Sequence, residues 1–224
     1  MFRIAILALA VAVVSACSSA RSDDAEDKAV AFVKGLGGKV SRDDKSPGAP
    51  VVRVDLNETK VTDADLKELA AFGALARLSL ADTAVTNAGL KNLAPIKTLT
   101  HLDLSNTKLS DAGIKELVPL KGLKVLALAR TKVSNTGLAY MAPMKSLTDL
   151  DLALTKVTTT GMADLAPLKN LTRLNLIGTS VTDAGVDDLA ALKKLTEIDL
   201  TGTKVTNSGV KDLQKALPKC KISK

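Results

Sequence analysis

The side chains able to do chemistry are few, and they are evenly spaced. Asp55, Asp103, Asp151 and Asp199 recur at one constant interval, and His101, the single histidine of the 224-residue chain, stands two residues before Asp103 and four before Ser105. On a strand such spacing puts His101, Asp103 and Ser105 on one face, the residue types of an acid–base–nucleophile trio. Alternating polar residues on any solvated strand give the same pattern, so it reads as surface rather than as a catalytic site. The aspartates fail as a cation site on distance. Neighbouring strands stack about 4.8 Å apart, so carboxylates two strands apart are separated by roughly 10 Å, too far to share one calcium ion at ligand distances of about 2.3–2.6 Å. Two cysteines, Cys17 and Cys220, cannot build a disulfide framework. No phosphate-binding loop or CxxC occurs, and neither an enzyme, a cofactor nor a metal is expected.

The element that must position these residues is a 24-residue unit. Leu99–Gly122, LTHLDLSNTKLSDAGIKELVPLKG, recurs in register from Val51 to Pro218, giving seven copies. Within each copy, counted from its first residue, positions 1, 4 and 6 are apolar, as in Leu99, Leu102 and Leu104. Alternation at 4 and 6 predicts a short strand, and the same strand in every copy predicts a parallel sheet. Position 9 is Thr in all seven, Thr59 to Thr203, where a hydroxyl can satisfy a neighbouring backbone group. Positions 12 and 13 pair Thr or Ser with Asp or Asn in most copies (Thr62-Asp63, Ser110-Asp111). That pair is expected to act as an N-cap and a dipole-favoured first-turn residue for a short helix whose buried face carries Ile114 and Leu117. Position 15 is Gly in six copies and Asp65 in the first. Gly inside a helix costs about 1 kcal/mol relative to Ala, so the recurrence implies close approach by the preceding copy. A unit of this kind cannot bury its own apolar side and must stack on its neighbours.

The flanks divide the chain further. Residues 1–16 have the form of a signal peptide, with a positive start at Arg3 and an apolar run over Ile4–Val14 that is too short to span a bilayer. Val14-Ser15-Ala16-Cys17 resembles the bacterial lipobox. That resemblance implies cleavage before Cys17 and lipid attachment to it, with Ser18 next in line suggesting the outer membrane. An ordinary secretory signal cut near Ala16 or Ala20 is the alternative. The small, acidic stretch Ser18–Asp27 has no core-forming pattern, and 17–24 is assigned as a solvated tether. Residues 25–50 are expected to form an N-terminal cap of one helix and one short strand around Val40–Arg42. Residues 219–224 are expected to form a C-terminal cap strand. There, Leu217, Cys220 and Ile222 repeat the LxxLxL pattern and place Cys220 in the core.

Residues 51–218, in the form LxxLxLxxTxVTDAGLKxLAxLK, resemble the leucine-rich repeat family, most nearly bacterial repeats of the cysteine-containing-like subtype. The resemblance implies an α/β solenoid bent into an arc, with a parallel sheet on the concave face and short helices on the convex face. It leaves the ligand open, because the family includes adhesins, receptors, inhibitors and ligase adaptors. The last would need an F-box, which Ser18–Pro50 does not resemble.

The outward strand positions carry what varies between copies. Arg77, His101, Asp103, Val125, Asp149, Asp151, Arg173, Asn175 and Glu197 are the candidate binding residues of that concave face, set against a bland reading as a solvated charged face with weak cross-strand pairs. The expected role is a non-enzymatic protein-binding module of the cell envelope, with an unidentified protein partner and a membrane anchor at Cys17. A net charge of +7 admits a second reading, attachment to anionic glycan or lipid headgroups through Lys columns at positions 10 (Lys108, Lys132, Lys156) and 23 (Lys97, Lys121, Lys145). Those columns lie in turns and lack interleaved aromatics, so nucleic acid is not an expected partner.

Overall fold

A strand with one apolar face is stable only when that face is covered and its edges are paired. Repetition solves both problems by laying each copy against the last. In the computed structural model, which describes residues 24–224, nine strands form one sheet in chain order: β1 (Lys39–Arg42), β2 (Val51–Asp55), β3 (Arg77–Ser79), β4 (His101–Asp103), β5 (Val125–Ala127), β6 (Asp149–Asp151), β7 (Arg173–Asn175), β8 (Glu197–Asp199) and β9 (Lys221–Ser223). β1 runs antiparallel to β2 and every later pair is parallel. The register never slips from β2 to β8, so Val54, Leu78, Leu102, Leu126, Leu150, Leu174 and Ile198 lie in one row. The chain returns through short helical segments, some α and some 3-10, including α2 (Asn87–Leu90), α3 (Asp111–Leu117), α4 (Asn135–Met141), α5 (Val186–Ala190) and α6 (Asn207–Ala216). Ile114 and Leu117 are buried, as their spacing predicts. The core between sheet and helices is a continuous stack of Leu, Val, Ile and Met with a single phenylalanine, Phe72.

Each threonine of position 9 donates its hydroxyl to the carbonyl of the position-6 leucine, at 2.7 Å in every copy. The hydroxyl thus satisfies a carbonyl at the turn leaving the strand, as its position suggests. Position 12 is the N-cap and position 13 opens the helical segment from the second copy onward, as expected, but most of their side-chain bonds run elsewhere. Side-chain capping of the following helix is seen at Thr86 and Thr206, but Ser110, Ser134, Thr158 and Thr182 make no such bond. Position 13 of one copy reaches across to position 12 of the next instead. Asp111 accepts the N–H of Ser134 at 2.7 Å and its hydroxyl at 2.6 Å. Asp63 does the same for Thr86, and Asp183 for Thr206. Asn87 and Asn135 accept the N–H and donate an amide proton to the hydroxyl, and Thr159 accepts the N–H of Thr182. The two bonds from Thr206 hold Asp183 below the ordinary carboxylate range.

This ladder explains the glycine column. A Cβ at Gly137 would stand 2.6 Å from Asp111 Oδ1, and one at Gly113 the same distance from Asn87 Oδ1. Asp65 takes the glycine position where no copy precedes. Its carboxylate accepts the Thr62 N–H at 2.8 Å and the Thr62 hydroxyl at 2.7 Å, the two bonds that a preceding position-13 residue would otherwise receive.

The ends are closed by distinct devices. A helix spanning 24–35, α1, buries Ala29 and Val33. Its Glu26 and Asp27, acids of the polar stretch, belong to the cap: Arg42 meets Glu26 at 2.7 Å and Asp27 at 3.1 Å, and Glu26 also accepts the Val51 N–H. At the other end Cys220 is 4% exposed, and burial pushes its thiol pKa up. The strand register differs from the one expected there. Ile222 pairs with Ile198 and so takes the first apolar strand position, while Cys220 precedes the strand. Gln214 explains the offset, since its amide donates to the Leu217 and Cys220 carbonyls and holds that turn closed. The leader and Cys17 lie outside the described residues. No helix among the described residues is long and apolar enough to cross a membrane.

Two substitutions separate the ladder from generic helix propensity. Gly137→Leu should cost about 1–3 kcal/mol through overpacking against Asp111 and Val133. Asp65→Gly, which restores the residue found in every other copy, should nevertheless destabilise by roughly 0.5–2 kcal/mol, the range of a lost cap. Urea unfolding of both variants checks this, and an Asp65→Gly variant as stable as the parent would remove the ladder-terminating role.

Candidate functional site

Because side chains alternate across a strand, the residues flanking each buried leucine all face away from the core. The structure therefore places the candidate residues in two rows. Arg77, His101, Val125, Asp149, Arg173 and Glu197 are aligned in one, and Ser79, Asp103, Ala127, Asp151, Asn175 and Asp199 in the other. Two shallow depressions form along them. One of about 230 Å³ lies towards Arg53, Arg77 and His101. The other, about 280 Å³, lies over β5 to β8 and is bordered by Asp149, Asp151, Glu197 and Asp199. Val125 and Ala127 line both. All nine candidate residues thus belong to one continuous surface.

Their bonds limit what they can do. Asp103, Asp151 and Asp199 each accept the N–H two residues on, at 2.9 Å, and Asn175 does the same at 3.0 Å. These Asx turns shape the exit of each strand, so the aspartate column has a structural duty. Asp151 is the aspartate of this row whose titration shifts. Burial pushes its pKa up, bonds from Ala153 N–H and Asn175 oppose this, and Asp103 adds to the rise. Arg173 pairs with Asp149 on the adjacent strand, with the guanidinium 63% exposed and the carboxylate 16% exposed. His101 Nδ1 and Thr100 Oγ1 are 2.8 Å apart. Desolvation, then Arg77, lower the His101 pKa against the pull of Asp149, which favours the neutral ring.

No acid–base–nucleophile geometry results. His101 bonds to Thr100 and Asp103 bonds to the Ser105 backbone, so the trio is not assembled. Among the described residues no group of three or more His, Cys, Asp or Glu side chains is arranged to hold a metal ion. What this rigid face can do is present fixed side chains to a macromolecule.

One feature of the face escapes the sequence reading. Position 8, at the rim of the sheet, is left-handed in every copy: Glu58, Asp82, Asn106, Arg130 and Leu154 have φ between 52° and 57°, and Gly178 and Gly202 have 64° and 70°. In the first six copies the N–H of this residue bonds the position-7 carbonyl of the next copy, as in Leu154 to Ile177 at 2.7 Å, which ties the rim to a conformation that side chains resist. The signal was in the sequence, since two glycines share the column. Leu154 is 46% exposed and is the one large exposed hydrophobic residue among those described.

Three segments, residues 96–118, 144–166 and 191–213, match the family model described as Leucine Rich repeat. The fold is a leucine-rich-repeat solenoid. Solved structures of the same kind include an internalin (inlF) from Listeria monocytogenes, 16% identical with a TM-score of 0.58, and an internalin C2 (inlC2) from the same organism, 22% identical with a TM-score of 0.56. The first alignment covers 75% of this chain and 52% of inlF, so the chain spans about half the length of that relative. The second covers 77% of this chain and 81% of inlC2. These likenesses concern the fold. No curated protein matches the sequence.

The environment of Asp151 sets a pH test. With its folded-state pKa raised, the native state holds its proton more tightly than the unfolded chain. The carboxylate therefore opposes folding at neutral pH, and the penalty disappears as pH falls below the ordinary carboxylate range. Asp151→Asn keeps the acceptor for Ala153, as Asn175 does naturally for Ile177. The variant should melt higher than the parent at pH 7 and lose that advantage near pH 3. Thermal melts across this range decide, and an advantage that grows on acidification would contradict the assignment.

Proposed function

We propose that the chain is a non-enzymatic protein–protein interaction module of the bacterial cell envelope, anchored by lipid at Cys17 and binding its partner on the concave sheet face. One observation carries the binding role. The inward residues of β2 to β8 are uniformly apolar, whereas their outward neighbours vary among basic, acidic, polar and apolar types along the same unbroken register. Variation confined to one rigid surface is what recognition by a solenoid needs. Leucine-rich repeats commonly serve as protein-binding scaffolds, which supports the class of function; the partner is open. The envelope location rests on the signal-peptide form of residues 1–16 and the lipobox-like Val14–Cys17.

The Lys columns favour the second reading, attachment to anionic glycan or lipid headgroups. Lys108, Lys132, Lys156 and Lys204 are exposed, and among the described residues none of them takes part in an ion pair.

Cys17→Ser should move the protein from the membrane to the soluble fraction on cell fractionation; a variant that stays membrane-bound removes the anchor. Photo-crosslinkers at positions 101 and 149 should trap a partner in native envelopes, and Val125→Arg or Ala127→Arg, each setting a bulky cation into the apolar centre of the face, should abolish the trapped product. Retention that instead collapses with added salt and ignores both substitutions would favour the Lys columns, because screening weakens exposed charge pairs.

A further inference from the structure

Two residues of the sheet face oppose the stability of the fold, and they lie together. Leu154 holds a left-handed conformation while 46% exposed, at a column position filled elsewhere by Glu, Asp, Asn, Arg or Gly. Its side chain lies across the next copy, where a Cβ on Gly178 would stand 2.5 Å from Leu154 Cδ2. Glycine at 178 is therefore what leaves the leucine room to spread over the rim. Asp151, three residues earlier on the same turn, is a half-buried carboxylate that burial disfavours.

The surroundings of this pair are apolar on the rim and acidic in the depression. Ala129, Ala153 and Ile177 occupy position 7 in the three copies around Leu154, where the first and third copies carry Asn57 and Ser105. Val125 and Ala127 continue the apolar surface into the depression. Beyond them the outward positions of β6 to β8 hold four carboxylates; Asp149 is paired with Arg173 and Glu197 with Lys221 of β9 at 3.6 Å, which leaves Asp151 and Asp199 without a cation. The chain as a whole carries +7, so this half of the face is locally inverted in sign.

We propose that the Leu154 rim and the depression over β5 to β8 form the docking site for a basic amphipathic segment of a protein partner, one that sets an apolar side chain on Leu154 and Lys or Arg side chains towards Asp151 and Asp199. Charge complementarity selects the occupant. A second copy could offer such cations from its Lys columns, which sit in turns, or from α6, where Leu213 is buried in the core and Lys215 is paired with Asp212. An anionic polymer is repelled by the four carboxylates. Covering the exposed leucine supplies apolar area, and the carboxylates supply orientation and on-rate. The site rests on the concave-face reading above and narrows it to one half of that face.

The test uses the mature chain with two synthetic probes of equal length, an amphipathic Leu/Lys helix and its Leu/Glu counterpart, titrated by calorimetry at about 0.15 M salt. The Leu/Lys peptide should bind and the Leu/Glu peptide should not. Leu154→Gly should weaken binding about tenfold or more while raising the melting temperature, because glycine relieves the left-handed strain. Asp151→Asn should also weaken binding without loss of stability, and should flatten its salt dependence. A misfolded variant would fall in both respects, so the opposite movement of binding and stability separates an interface role from a structural one. Equal binding of both peptides, or unchanged affinity in Leu154→Gly, overturns the proposal. If envelope crosslinks then still map to the face near Arg77, the concave-face reading stands and only this half of it falls. A partner trapped on the helical side alone overturns both.

Discussion

The rest of the structure depends on a polar ladder that runs parallel to the sheet on the far side of the leucine core. A carboxylate or amide at position 13 of one copy takes the N–H and hydroxyl of position 12 in the next. Those N–H groups begin the short helices and would otherwise be orphaned. The bond spans 23 residues of sequence while the sheet pairs residues 24 apart, so both can hold at once only if every copy has the same length. One inserted residue would break the ladder or shift the leucine row. Close approach of the position-13 side chain then forbids a Cβ at position 15. Period, glycine column and the Thr/Ser–Asp/Asn pair are thus one constraint seen three ways.

That constraint needs terminators. At the first copy Asp65 supplies the missing bonds from within its own turn. At the last, Asn207 has no following copy, and Lys224 donates to its side-chain oxygen at 2.9 Å. Together with the Arg42 clamp on Glu26 and Asp27, these terminate the ladder and hold the N-terminal cap in place. The proposed binding role then falls to the sheet face, whose outward side chains belong to neither ladder nor core.

How much of this was legible follows from how far each bond reaches. The strands, their parallel order and the core were readable because alternation is local and repeats. The threonine column was readable because its acceptor, the carbonyl three residues back, is local too. Positions 12 and 13 were read correctly as a helix start, but their bonds were not, because Ser110-Asp111 looks self-contained within one copy while the partner of Asp111 is Ser134. The aspartate column looked like free carboxylates, since an Asx turn to the second following N–H leaves no residue-type signature. At the C-terminus the apolar spacing of Cys220 and Ile222 was read correctly as burial and incorrectly as register. On the face itself every candidate residue was placed on the correct side. Leu154 was missed, since a column of Glu, Asp, Asn, Arg and Leu reads as variable loop until its two glycines are taken as evidence of a positive φ.

The position of the costly residues along the solenoid then has a physical reason. Stability in such an array is approximately a sum over copies and their nearest-neighbour interfaces. A strained or desolvated side chain in a terminal copy is opposed by one interface, and the copy can fray. Asp151 and Leu154 sit in the fifth copy, between β5 and β7, where Leu126, Leu150 and Leu174 are fully or almost fully buried and the ladder is made on both sides through Thr158 to Asn135 and Thr182 to Thr159. An exposed leucine in a left-handed turn is held in place there by two interfaces rather than one. The interior of the array is where a solenoid can best bear an unfavourable side chain, and it is there that the proposed docking site lies.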